Sequence, residues 1–234
     1  MNDLSEKEQV EALRTWWQEN GKMVIAGIVI GVGSLVIWNQ WKQSKIETAE
    51  AASAVFQTMG EAVDAGKLEK AEEAAQALYA EYADTDYAAQ GRLAMARAYV
   101  NQGRDEDAAQ SLRDLLALSG HEELKNIARL RLARIYLYQG KAQDVIDLLL
   151  DQGSEAFAAS YAELLGDAYV ALGSRGQAAD AYARALSVVG DAPTINRPLV
   201  QMKLNDLAQA QVVEAEPLVP AENDAVEAET GEVE

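Results

Sequence analysis

No cysteine occurs in the 234 residues, which excludes a disulfide framework, a thiolate nucleophile, a thiolate metal site and a lipid attached through cysteine. A single histidine, His121, leaves no histidine cluster for a metal and no general base beyond one imidazole. Only four prolines and sixteen glycines are present, a composition that suits a helical chain better than a turn-rich β-protein. Positive charge is scarce. Twenty Lys and Arg stand against 38 Asp and Glu, a net charge of −18, and phosphate neutralisation by a nucleic-acid binder needs a basic surface. No phosphate loop, dinucleotide glycine motif, nucleophile triad or metal spacing appears. Acid pairs such as Glu72-Glu73 and Glu122-Glu123 diverge by about 100° on a helix and suit a solvated face. His121 follows Gly120 between two hairpins and reads as an exposed loop or capping residue. Composition therefore points away from catalysis, cofactors and small-molecule substrates, and towards protein binding.

Charge divides what is there. Residues 1–22 carry three basic and five acidic side chains, residues 23–41 none, residues 42–213 seventeen basic and 25 acidic, and residues 214–234 eight acidic and no basic. The uncharged stretch of 19 residues, at about 1.5 Å per residue, makes a helix of about 28 Å, close to a hydrocarbon core of about 30 Å. All four tryptophans flank it, Trp16 and Trp17 before and Trp38 and Trp41 at its far end, where indoles prefer the headgroup level. Lys22 and Lys42 can extend outward at the same two levels. Ala52-Ser53-Ala54 has a signal-cleavage pattern but lies too far downstream, so 23–41 reads as an uncleaved transmembrane anchor. Three basic residues on one side and two on the other, Lys42 and Lys45, leave its orientation open by charge alone. Within it Gly27, Gly31 and Ser34 share a face on which another helix could approach closely. Before it, Ser5 and Glu8 form a capping-box signal, Val10, Leu13 and Trp17 share a face, and Asn20-Gly21 is expected to end a short amphipathic helix.

After the anchor, apolar spacings of three and four predict helix nearly throughout. Gly66, Gly103, Gly140 and Gly173 punctuate it at intervals of 37, 37 and 33 residues. Ala62, Tyr99, Tyr136 and Tyr169 precede them by four positions, and Ala71, Ala108, Val145 and Ala178 follow them by five. Ala96, Ala133 and Gly166 stand three before the tyrosines. Self-similarity of this period predicts stacked helical hairpins, each unable to bury its apolar side alone. The fold class expected is all-α: one transmembrane helix, then a helical-hairpin solenoid over 42–213 whose tyrosines pack its core. A final helix over 194–213, with Pro198 in its first turn, would cap the stack, and the acidic tail 214–234 has too little apolar surface to repay ordering.

The hairpins resemble the tetratricopeptide repeat, the third copy best: Leu165, Gly166, Tyr169, Gly173, Ala178, Tyr182 and Ala185. The first copy is degenerate, with Met59 and Ala62 at the small and aromatic positions. In such arrays the first helix of each hairpin lines the partner groove. The resemblance thus implies groove positions for Arg97, Arg134 and Asp167, two before each tyrosine, and for Asn101 and Tyr138, two after theirs. Two arginines there could hold an acidic partner segment, or Arg134 could pair with Asp167 of the next hairpin and lock the stack.

The whole arrangement resembles the YfgM family of bacterial inner-membrane proteins, ancillary subunits of the SecYEG translocon. The densest stretch is Gln9-Val10-Glu11-Ala12-Leu13, Trp16-Trp17, Glu19-Asn20-Gly21-Lys22, Gly27 through Gly33, and Trp38 with Trp41; weaker similarity runs on to Met202, Leu204 and Asn205. The resemblance implies a cytoplasmic N-terminus and a periplasmic repeat domain. It also implies two partners, SecYEG and a membrane-anchored periplasmic chaperone of the PpiD type, and a role in handing emerging secretory and outer-membrane chains to chaperones. A general envelope-assembly scaffold and a regulatory tether for a cytoplasmic signalling protein are the alternative functions.

Overall fold

A computed structural model describes residues 6–188 and 195–215, all helix, turn or loop. The chain divides into two compact units, residues 1–121 and 122–234. The acidic tail beyond residue 215 and Ser5 of the proposed capping box lie outside the described residues.

The first unit begins with α1, Glu6–Asp64, a continuous helix of 59 residues, about 88 Å long at 1.5 Å per residue. It does not stop at Asn20-Gly21, contrary to the sequence expectation. Asn20 Nδ2 donates to the Trp16 carbonyl at 3.1 Å, one turn back within the helix. Gly21 lies under the Trp17 indole, where a Cβ would come 3.2 Å from Cε2. One interior glycine costs about 1 kcal/mol relative to alanine, too little to break a helix supported by good formers on both sides. The apolar run stays exposed: Ile28 is 59%, Ile30 69% and Ile37 72% accessible. A core helix would bury these side chains, so the run is not one.

Beyond residue 41 the same helix becomes part of a packed core. Ala52 and Met59 are fully buried, together with Ala71, Ala75 and Leu78 of α2 (Leu68–Glu81) and Ala88 and Met95 of α3 (Asp86–Asn101). Alanines at these contacts let helix backbones approach. The end of α1 with α2 forms the first hairpin, and α3 with α4 (Asp105–Leu116) the second. Thr85 caps α3, its Oγ1 accepting the Ala88 N–H at 3.3 Å. Ala52-Ser53-Ala54 sits inside the first hairpin, where cleavage would cut its packed helix.

The second unit repeats the plan. α5 (Glu122–Tyr138) pairs with α6 (Ala142–Leu149), a short 3-10 turn at Glu155–Phe157 leads into α7 (Ala158–Ala171), and α7 pairs with α8 (Arg175–Ser187). α9 (Arg197–Ala215) packs on α8, with Val200 fully buried and Leu204 and Leu207 against the core. The predicted final helix is thus present and starts at Arg197, with Pro198 in its first turn.

The four turn glycines explain the period. Gly66, Gly103, Gly140 and Gly173 have φ between +68° and +73°, the left-handed region where a Cβ costs about 1–2 kcal/mol. After each, the next N–H reaches back to the repeat's aromatic position: Lys67 to Ala62 O, Arg104 to Tyr99 O, Lys141 to Tyr136 O and Ser174 to Tyr169 O, at 2.8–2.9 Å. Each glycine N–H also bonds the carbonyl three residues back, completing a Schellman motif at all four turns.

Candidate functional site

Two surfaces are candidates for partner binding, the apolar face of α1 and the exposed faces of the repeat helices. On α1, Gly27 and Gly31 are open, with nothing within 4 Å of where a Cβ would stand. Ser34 Oγ donates to the Ile30 carbonyl at 2.8 Å, which satisfies its hydroxyl inside the helix and leaves a nearly apolar face. Trp16 and Trp17 have ring centroids 6.5 Å apart, and Trp38 and Trp41 5.4 Å. The two pairs are separated along α1 by the 20 residues 18–37, about 30 Å of helix.

Of the predicted groove residues, Arg97 and Asn101 are exposed on α3 in the first unit, and Arg134 and Tyr138 are exposed on α5 in the second. Tyr138 is 83% accessible, the most exposed large hydrophobic side chain among the described residues. Asp167 behaves differently. Its carboxylate accepts the Tyr182 hydroxyl at 2.7 Å and the Lys203 ammonium at 2.7 and 2.9 Å, and Lys203 also reaches Glu163 at 3.1 Å. Among the described residues no Arg134–Asp167 pair forms, because α9 supplies the cation instead. Asp167 thus serves the packing of α7, α8 and α9. Burial works against the Lys203 charge, but its bonds to Asp167 and the neighbouring Glu163 outweigh this and hold the ammonium above its usual range. Burial first, and then the bond to Asp167, keep the Tyr182 hydroxyl protonated far into alkali.

The repeat tyrosines are packing residues, as expected: Tyr169 is buried, and Tyr99 and Tyr136 are half-buried. The residue after the turn glycine adds a feature that the sequence reading missed. Arg104 stacks 4.7 Å from the Tyr99 ring centroid while bonding Glu72 at 2.7 Å and Asp107 at 2.6 Å, and Lys141 lies 5.8 Å from the Tyr136 ring. The signal was available, since Lys67, Arg104 and Lys141 follow three successive turn glycines. His121 lies in the loop directly before α5, as expected, but it is not exposed. It adopts φ +58° with its side chain 16% accessible, and Nδ1 lies 2.9 Å from the Asp86 carboxylate, so it ties the end of the first unit to α3.

Two open clefts accompany these surfaces. One lies against α7 and α8 beside Tyr169, Asp180 and Arg184; the other lies between Lys45 and Thr48 of α1 and the turn that joins α2 to α3.

Comparison with known proteins agrees with this geometry. Residues 14–209 match a family described as a tetratricopeptide repeat-like domain. A protein of Escherichia coli K12 named ancillary SecYEG translocon subunit is 33% identical over 204 residues, which is 87% of this chain and 97% of that protein. Proteins of the same name from Haemophilus influenzae and Aggregatibacter actinomycetemcomitans are 28% and 26% identical, each over 87% of this chain and 98% of their own length. No solved structure matches. A helix whose exposed apolar run continues into stacked hairpins, matched almost end to end by these relatives, places the chain in the YfgM family of ancillary SecYEG translocon subunits.

Proposed function

We propose that the chain is an inner-membrane scaffold at the SecYEG translocon. Its N-terminus lies in the cytoplasm, its repeats lie in the periplasm, and it links the channel to membrane-anchored chaperones of the PpiD type. The observation that carries this reading is α1: an exposed apolar segment, bracketed by tryptophan pairs, that runs unbroken into the buried Ala52 and Met59. From Trp41 to Ala52 is 11 residues, about 16 Å of helix. The first hairpin therefore stands close above the headgroups, within reach of a chain leaving a membrane channel. A rigid helix also fixes the height and rotation of that hairpin, which a flexible linker would not. Tyrosines committed to packing and turns built on backbone bonds leave binding to the exposed faces.

The relatives' name supports the translocon as the partner, and the match over nearly their whole length supports carrying it to this chain. The test is co-isolation from native membranes in mild detergent, comparing the chain with a version whose residues 23–41 are replaced by an unrelated membrane helix. Recovery of SecYEG with the native chain, reduced by the exchange, supports the reading. Recovery of an envelope-assembly machine or a cytoplasmic regulator instead refutes it. Orientation is tested separately: protease added to spheroplasts digests the repeat units if they are periplasmic and leaves them intact if they are not.

A further inference from the structure

Residues 124–143 carry five basic side chains and no acidic one, an isolated basic stretch in a chain of net charge −18. Nearly all of it is α5. Lys125 is buried and pairs with Glu122 at 3.2 Å, and Arg129 bonds Asn126 at 2.9 Å. Arg131 and Arg134 are exposed, and Tyr138 follows Arg134 by one turn on the same face. The face thus presents guanidinium groups beside a flat, open aromatic ring. That pairing suits an acidic segment with an occasional aliphatic residue, since guanidinium binds carboxylate in a fork and the ring takes a methyl-bearing side chain.

Such a segment is present in the chain itself. Residues 216–234 hold seven acidic and no basic side chains, with Leu218, Val219 and Val226 among them. They begin where α9 ends, and they lie beyond residue 209, where the family match stops. We propose that this tail is an internal ligand of the basic face of α5, shielding it until a more strongly acidic partner segment displaces it.

Reach permits the contact. In the second unit α5 packs on α7, α7 on α8 and α8 on α9, three interhelical steps of about 8–10 Å each, or about 24–30 Å. The tail has 19 residues, and a random-coil chain of that length has a root-mean-square span of about 22–26 Å and a limit of about 65 Å. Tethering at that span gives an effective concentration on the order of millimolar, so even a weak site is substantially occupied. Attraction between the tail and the guanidinium groups is screened by salt, which makes the device sensitive to ionic strength.

The test uses the full chain, purified in detergent, with p-benzoylphenylalanine replacing Tyr138 so that an aromatic ring remains. Irradiation at low salt is expected to give an intramolecular adduct that maps to residues 216–234. Its yield should fall about five-fold or more in about 0.5 M salt, and equally on Arg131→Glu with Arg134→Glu. A dominant adduct elsewhere, a link between two chains, or a yield indifferent to salt and charge reversal overturns the assignment. A second measurement needs no charge variant: a synthetic peptide of residues 216–234 is titrated onto a chain ending at Ala215 and onto the full chain. The shortened chain should bind it about tenfold more tightly, because the tether no longer competes. Equal affinity for both chains, or no binding to the shortened one, refutes the proposal.

Discussion

Replacing Gly166 by alanine perturbs one defined contact. Gly166 lies in α7 against the Tyr182 ring of α8, where an added Cβ would stand 2.5 Å from Cδ1, 2.9 Å from Cζ and closer still to Cε1. Ordinary carbon contact begins near 3.4 Å, so the ring must retreat by about 1 Å in a site where Tyr182 is only 2% accessible. The ring is pinned at its other end by the hydroxyl bond to Asp167 at 2.7 Å. Overpacking costs about 1–3 kcal/mol, and weakening a hydrogen bond to a charged group adds about 1 kcal/mol. The better helix propensity of alanine returns about 1 kcal/mol. The net loss is about 1–3 kcal/mol, a fall in melting temperature of roughly 4–12 °C for a domain of this size. Thermal unfolding of the full chain in detergent, followed by near-ultraviolet circular dichroism of the tyrosines, measures it. The cause is isolated by repeating Gly166→Ala in a Tyr182→Leu background, where the clash is absent and the cost should shrink to near zero. An equal loss in both backgrounds would mean that Gly166 is not there for the tyrosine.

Glycines elsewhere should respond differently: Gly60→Ala, in the interior of α1 with nothing within 4 Å of the new methyl, should stabilise by about 0.5–1 kcal/mol in the same assay. Gly140→Ala, at φ +73°, should destabilise by about 1–2 kcal/mol although its Cβ meets no atom within 4 Å. In alkali, the folded chain should hold the Tyr99 proton to about pH 12, because burial, and then the nearby Glu72 carboxylate, raise its pKa. Since unfolded tyrosine ionises near pH 10, stability is intact below that value and declines as pH rises through the folded pKa; melting temperatures and absorbance at 295 nm should show the two losses together. Gly27→Leu with Gly31→Leu should leave insertion intact and lower recovery of the membrane partner, and unchanged recovery would leave the small-residue face without a role.

Local features were the legible ones. The four turn glycines announce themselves because only a left-handed conformation closes each hairpin so tightly, and the tryptophan pairs because the distance between them equals a bilayer core. Asn20-Gly21 misled because its residue types favour a stop, whereas the flanking helices and the Trp17 indole over Gly21 decide the outcome. The partner of Asp167 was hidden for another reason. Lys203 comes from a helix outside the repeat, 36 residues away, and no period connects the two. His121 shows the same limit, since its tie to Asp86 follows from how α3 and α4 bring the chain back. The period gives Arg97 and Arg134, and Asn101 and Tyr138, equivalent positions, and all four are exposed; exposure does not assign them a partner.

The central claim is that one rigid helix holds the repeats beside a membrane channel. It is tested most directly by photo-crosslinking in native membranes, with p-benzoylphenylalanine at Ile28 of the span and, separately, at Asn101 of α3. The account predicts that the Ile28 probe captures a SecYEG subunit and the Asn101 probe a periplasmic chaperone or an emerging chain. Capture of lipid alone from the span, together with a cytoplasmic protein from α3, would contradict it.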